Sequence, residues 1–133
     1  MFKSTHLSHY MLKNPVRVKA GDSILYAMKI IVDNRISGLC VVDERENLVG
    51  VLSEMDCLQA AIDEAYNAKT PGRVEDYMTR SPLIISAPDD DLVDTARDML
   101  AQNKRRRPVV SDGKLIGQIT ARQVLRAVHT IKG

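Results

Sequence analysis

Cysteine is scarce, long apolar runs are missing, and neither sign of charge prevails. Cys40 and Cys57 are the two cysteines of 133 residues, and they do not form a Cys-x-x-Cys pair. One lies in an apolar, strand-like run and the other in a helix-like one. With no secretory leader read in the chain, both are expected to be reduced, packed thiols of a cytosolic protein. No apolar stretch approaches the roughly 20 residues that a membrane-spanning helix needs, so a soluble protein with no membrane partner is expected. The 19 basic and 17 acidic side chains leave a net charge of +2. That balance gives no general drive toward nucleic acid or membrane, and any electrostatic function must be local. The chain also lacks a glycine-rich phosphate loop, a Ser-His-Asp order and paired carboxylates, so no catalytic residue is expected. Nothing in it is low-complexity.

What the sequence does contain is a repeat. Tyr77-Met78 follows Tyr10-Met11, Ser81-Pro82 follows Asn14-Pro15 and Gly117 follows Gly50, each 67 residues on. Ala96, Asn103, Val110 and Asp112 answer Ala27, Asn34, Val41 and Asp43 at a spacing of 69. The second copy therefore gains two residues near Asp89-Asp90-Asp91 and loses two around Asp112-Gly113-Lys114. Two copies of a unit this long do not make an open solenoid. With 44% hydrophobic residues, the chain is expected to be globular, with a cleft between pseudo-equivalent halves.

Each copy reads strand, helix, strand, strand, helix. Asn14-Pro15 opens an extended segment at Val16-Arg17-Val18, because proline pushes its predecessor out of helical space. Asp22-Ser23 offers an N-cap to a helix whose Ile24, Ala27, Met28 and Ile31 share one face. Leu39 to Val42 suits a strand covered on both sides, and Leu48 to Leu52 its partner. Ser53 caps a second helix bearing Leu58, Ala61, Ile62 and Ala65. In the second copy, Leu83-Ile84-Ile85 reads as the first strand, and Asp89 to Asp91 as the acidic start of a helix through Val93, Ala96 and Leu100. Pro108 to Val110 and Leu115 to Ile119 read as the paired strands, with Thr120 capping a last helix. The fold class is α+β: two tandem β-α-β-β-α motifs over residues 8–66 and 74–131, joined by a linker at 67–73 and packed with pseudo-two-fold symmetry.

This pattern resembles a tandem pair of CBS domains, the Bateman module. The resemblance rests on Gly50-Val51-Leu52-Ser53-Glu54-Met55-Asp56, on Pro108-Val109-Val110-Ser111-Asp112, and on their order and duplication from about Ser8 to Val128. It implies a stand-alone regulatory sensor with no required cofactor, whose effector is AMP, ADP, ATP or S-adenosylmethionine. It also implies a homodimer built through helices and a protein partner that reads the signal; nucleic acid is not expected as a partner. A dimerising interaction module with degenerate pockets is the alternative.

The residues supply suitable chemistry themselves. Ser53 stands where a strand gives way to a helix, and Asp56 lies one turn on along the same face. A carboxylate there can accept hydrogen bonds from both hydroxyls of a ribose, each worth roughly 1.5–3 kcal/mol. The same pair equally fits a capping box, each side chain serving the other's backbone amide. Asn14-Pro15-Val16 and Ile36-Ser37-Gly38-Leu39 are the expected wall for the base. The second copy has Thr120 but Gln123 in place of the aspartate, which leaves either a weaker second site or an ordinary exposed glutamine.

Lys104 to Arg107 is the densest positive charge. It reads as a solvated loop, or, as the resemblance implies, it brings Arg105, Arg106 or Arg107 to the phosphates of a ligand whose ribose rests on Asp56. Residues entering a strand alternate in direction, so not all three can do so. His6 and His9 make at most half of a metal site, and the Asp89–Asp91 cluster is explained by the helix dipole, so no metal is expected.

Overall fold

The structure, a computed structural model, describes residues 4–66, 71–81 and 83–132. Its elements are β1 (Leu12–Lys13), β2 (Arg17–Lys19), α1 (Ile24–Asn34), β3 (Gly38–Val42), β4 (Leu48–Ser53), α2 (Glu54–Ala65), α3 (Leu92–Gln102), β5 (Arg106–Ser111), β6 (Lys114–Thr120) and α4 (Ala121–Lys132). Short 3-10 turns lie at Leu7–His9 and Val74–Asp76. Two β-α-β-β-α-like repeats thus form a mixed α+β fold. The compact units do not follow the repeat boundaries. Val16–Leu83 forms one, and Met1–Pro15 joins Ile84–Gly133 in the other. Each repeat lends its opening Tyr-Met segment to the unit built around the other repeat's strands.

In the unit Val16–Leu83 the sheet order is β2-β3-β4. β2 runs parallel to β3, Val18 facing Val41, and β3 runs antiparallel to β4. Every residue of β3 is buried, as its unbroken apolar run predicts. Ser23 caps α1 by accepting from the Leu25 amide, and Ile24, Ala27 and Ile31 turn inward at helical spacing. The core joins them to Val18, Leu39, Leu52, Ala60 and Val74. Thr79 closes the far side through a two-way backbone bridge to Val51, at 2.9 and 3.0 Å.

The other unit has the order β1-β6-β5, with Leu12 facing Gln118 and Lys13 facing Gly117. Leu7 is fully buried with Leu92, Met99, Val109 and Ile119. Its amide donates to the Asp90 carbonyl, and the Leu92 amide donates back to Thr5, so the N-terminal segment is stitched to the start of α3. The lost pair of residues is visible here. Asp112 and Gly113, both with positive φ, join β5 to β6 as a two-residue hairpin turn. The first copy spans Asp43–Asn47 instead, held by the Asp43 carboxylate accepting from the Arg45 and Asn47 amides.

One predicted strand is not there. Among the described residues Leu83-Ile84-Ile85 forms no ladder, and a single parallel bridge joins Ser86 to Val109 there. Two residues on stands Pro88, which has no N–H to extend the pairing. Of the expected linker, residues 67–70 lie outside the described residues. Gly72 is docked on Val16–Leu83, its amide donating to Glu64 and its carbonyl accepting from Ile24.

Candidate functional site

Ser53 closes β4 opposite Gly38, and the next amide, that of Glu54, donates to the Ser37 carbonyl at 2.9 Å. The strand pairing therefore brings Ser53, Asp56 and the Ile36–Leu39 stretch together at the N-terminus of α2. Gly38 and Leu39 are buried, Ile36 is half-buried and Ser37 is exposed. Of the remaining expected wall, Val16 is exposed and opens this unit, whereas Asn14 and Pro15 belong to the other. Asn14 holds a left-handed φ of 50°, and Pro15 is buried.

Ser53 and Asp56 form a capping box. The Asp56 amide donates to Ser53 Oγ at 3.0 Å, and the Ser53 amide donates to Asp56 Oδ2 at 2.9 Å. The cap and the ribose role are not exclusive, because a carboxylate has two oxygens. Oδ2 serves the helix, and Oδ1 has no hydrogen-bond donor among the described residues. Asp56 is half-buried, so the spare acceptor is fixed in direction yet reachable. Beneath it, burial pushes the Cys57 thiol up from its ordinary value, with the charges of Asp56 and Glu54 adding to the effect. Cys57 is therefore a neutral packing group at physiological pH.

The second motif repeats the backbone and inverts the chemistry. Arg106 faces Thr120 across the β5–β6 ladder, and the Ala121 amide donates to the Arg105 carbonyl. Gln123 Oε1 accepts from the Thr120 amide at 2.8 Å and from its hydroxyl at 3.0 Å, while the Gln123 amide donates to Thr120 Oγ1 at 3.3 Å. Two donors on one oxygen fix the orientation of the side-chain amide. Gln123 thus turns an NH2 donor outward where Asp56 turns a charged acceptor.

The three arginines differ in exposure on entering β5. Arg105 is exposed and Arg106 half-buried, but Arg107 is only 4% exposed. Arg107 Nη2 donates to Asp98 Oδ2 at 2.5 Å and Nη1 to Ser86 Oγ at 3.2 Å. The Arg107 guanidinium is therefore engaged within its own unit. This role was invisible in the sequence, because Asp98 and Ser86 reach it only once α3 and the Ser86 bridge are in place.

His6 and His9 stack at 6.0 Å between ring centroids, and no group of three metal-binding side chains occurs among the described residues. No described helix is long and apolar enough to cross a membrane. Asp91 caps α3 by accepting from the Asp94 amide, and that bond, chiefly, holds its carboxyl below the usual value.

The model of the CBS domain family matches residues 7–63 and 74–130. The chain belongs to that family and carries two copies in tandem. It is 36% identical over 143 residues to the CBS domain-containing protein CBSX1, chloroplastic, of Arabidopsis thaliana, covering 86% of this chain and 59% of that protein. Among solved structures, CBSX2 in complex with AMP superposes with a TM-score of 0.84 at 38% identity, covering 98% of this chain and all of that one. The CBS domain pair of protein MJ0100 in complex with 5-methylthioadenosine and S-adenosyl-L-methionine superposes with a TM-score of 0.79 at 29% identity, covering 97% of this chain and 99% of that one. The chain spans 40% to 59% of the length of the first curated relatives it matches.

Proposed function

We propose that this chain is a regulatory module that senses an adenosine-containing ligand of the AMP, ADP, ATP or S-adenosylmethionine type. The observation that carries the reading is the spare Asp56 oxygen beside Ser53 and the Ile36–Leu39 stretch. Ribose hydroxyls are donors that need an acceptor, and a fixed carboxylate oxygen is a strong one. The AMP bound by CBSX2 and the two adenosine compounds bound by the MJ0100 pair support the ligand class. Asn14, Pro15 and Val16 are proposed to contact the base. Arg105 and Arg106 are proposed to favour phosphorylated ligands. Thr120 and Gln123 form the weaker motif. No catalytic step and no metal belong to this reading, and the two buried cysteines fit a reducing compartment such as the cytosol.

Sensing requires a ligand that binds two states of the protein unequally, and a homodimer that hands the change to a protein partner supplies those states. The dimer is proposed to form through the exposed apolar helix faces. A thermal-shift panel of AMP, ADP, ATP, S-adenosylmethionine and NAD tests the reading. A ligand at 100 times its dissociation constant stabilises the fold by about 2.7 kcal/mol. No shift with any adenosine compound would leave the dimerising module with degenerate pockets, which the Gln123 substitution favours at the second motif.

A further inference from the structure

The two repeats differ in kind at one buried cluster. In the unit Val16–Leu83, Val18 and Leu39 are core residues and Ile30 packs against the same core. The other repeat has Ser86, Asp98 and Arg107 at the equivalent places. The strand pairings fix two of the three. Val18 lies parallel to Val41 as Ser86 does to Val109, and Leu39 faces Leu52 as Arg107 faces Ile119. The helices fix the third: α1 and α3 are both 11 residues long and end on left-handed caps at Arg35 and Asn103, which sets Asp98 at the place of Ile30. Each of the three pairs is 68 residues apart. Where one repeat has an apolar trio, the other thus has a guanidinium that donates to a carboxylate at 2.5 Å and to a hydroxyl at 3.2 Å.

Stability gives little reason for this. Replacing a buried ion pair by apolar residues of similar volume is often neutral or stabilising, whereas removing one partner alone is costly. What the trio does change is interchangeability. The repeats share their elements, their helix lengths and their strand register, and each Tyr-Met segment already docks on the other repeat's glycine. α1 is therefore a competitor of α3 for β5, within one chain or between two, a failure typical of repeated units. With α1 on β5, Ile30 would meet Arg107 and leave a buried guanidinium without its carboxylate. With α3 on β3, Asp98 would be set against Leu39. Only the native docking gives both surfaces their complement, so specificity comes from penalising the wrong partner. We propose that Ser86, Asp98 and Arg107 form a docking key that sorts the two repeats, reserving β5 for α3 and β3 for α1. The key is independent of any ligand.

The test is refolding of the full chain from urea, followed by circular dichroism and by size-exclusion chromatography. Ser86→Val, Asp98→Ile and Arg107→Leu together make the second repeat match the first. This variant is expected to keep a urea midpoint at or above that of wild type. Its recovery of native-sized protein is expected to fall by roughly half or more, with slower refolding and larger, segment-exchanged species. Adding Val18→Ser, Ile30→Asp and Leu39→Arg to the same chain moves the key to the first repeat. Recovery is expected to return toward wild type, because sorting needs the repeats to differ and not a particular one to be polar. Wild-type kinetics and recovery in the apolar variant would overturn the proposal. So would a lowered midpoint or a failure of that variant to fold, which would make the trio a stabilising element instead. A folded six-fold variant that recovers no better than the apolar one would overturn it too. Should the six-fold variant not fold, Ile30→Asp decides. It hands α1 a carboxylate that suits Arg107, so its recovery is expected to lie about twofold below that of the uncharged Ile30→Asn. Equal recovery of those two variants would overturn the key.

Discussion

Met78 lies directly on Gly50: a methyl group at Gly50 would stand 2.7 Å from the Met78 sulfur and 3.0 Å from the Thr79 carbonyl oxygen. The second copy repeats the relationship, with a methyl at Gly117 meeting the Met11 sulfur at 2.5 Å and the Leu12 carbonyl oxygen at 2.9 Å. The Tyr-Met pairs and the glycines that mark the repeat in the sequence are therefore partners in space, crossed between copies. Each glycine is required for close approach of a neighbouring backbone segment, and a carbonyl cannot swing aside as a thioether can.

Gly50→Ala and Gly117→Ala are accordingly expected to destabilise the fold by about 1–3 kcal/mol, the usual cost of overpacking. Urea unfolding checks this. Met78→Ala combined with Gly50→Ala should recover only part of the loss, because the Thr79 carbonyl stays in place.

Stability should also fall in acid through Asp91. Its folded carboxyl lies below the ordinary value because it accepts the Asp94 amide at the start of α3. A depressed carboxyl contributes stability that is fully present above its unfolded pKa and lost as pH falls through the folded one. Thermal unfolding followed from pH 6 downward should show a shallower acid limb for Asp91→Asn than for wild type. Parallel limbs would remove Asp91 from the account.

The two motifs make opposite predictions. Gln123→Asp restores an outward carboxylate oxygen while keeping the inner one for the Thr120 amide. It should therefore create or strengthen a second adenosine site, read by calorimetry as a rise in stoichiometry or a second binding phase. An unchanged isotherm would mean that the second motif is closed for some reason other than its hydrogen-bonding polarity.

How far the sequence could carry the fold is seen at particular residues. The unbroken run Leu39–Val42, the Ser23 and Ser53 caps and the shortened Asp112-Gly113 turn were all legible, because each is decided locally. Leu83–Ile85 misled, since three apolar residues look like a strand whether or not a partner accepts them. The N-terminal segment was harder still. β1 is two residues long and is defined only by pairing with Gln118 and Gly117, far along the chain. At the site, the spacing of Ser53 and Asp56 fitted both a cap and a ribose acceptor. The geometry assigns one carboxylate oxygen to the cap and leaves the other without a donor among the described residues. The partners of Arg107, Asp98 and Ser86, are set by tertiary structure and are not legible locally.

The central claim is that the outward Asp56 oxygen binds the ligand, and Asp56→Asn isolates it. Asparagine can keep its carbonyl oxygen on the Ser53 amide, so the cap and the fold survive while the outward atom becomes a donor, as in Gln123. Titration calorimetry with AMP on wild type and Asp56→Asn is the most direct measurement. The account predicts a loss of about 1.5–3 kcal/mol in binding free energy at an unchanged melting temperature of the free protein. Equal affinity in a folded Asp56→Asn protein would contradict it.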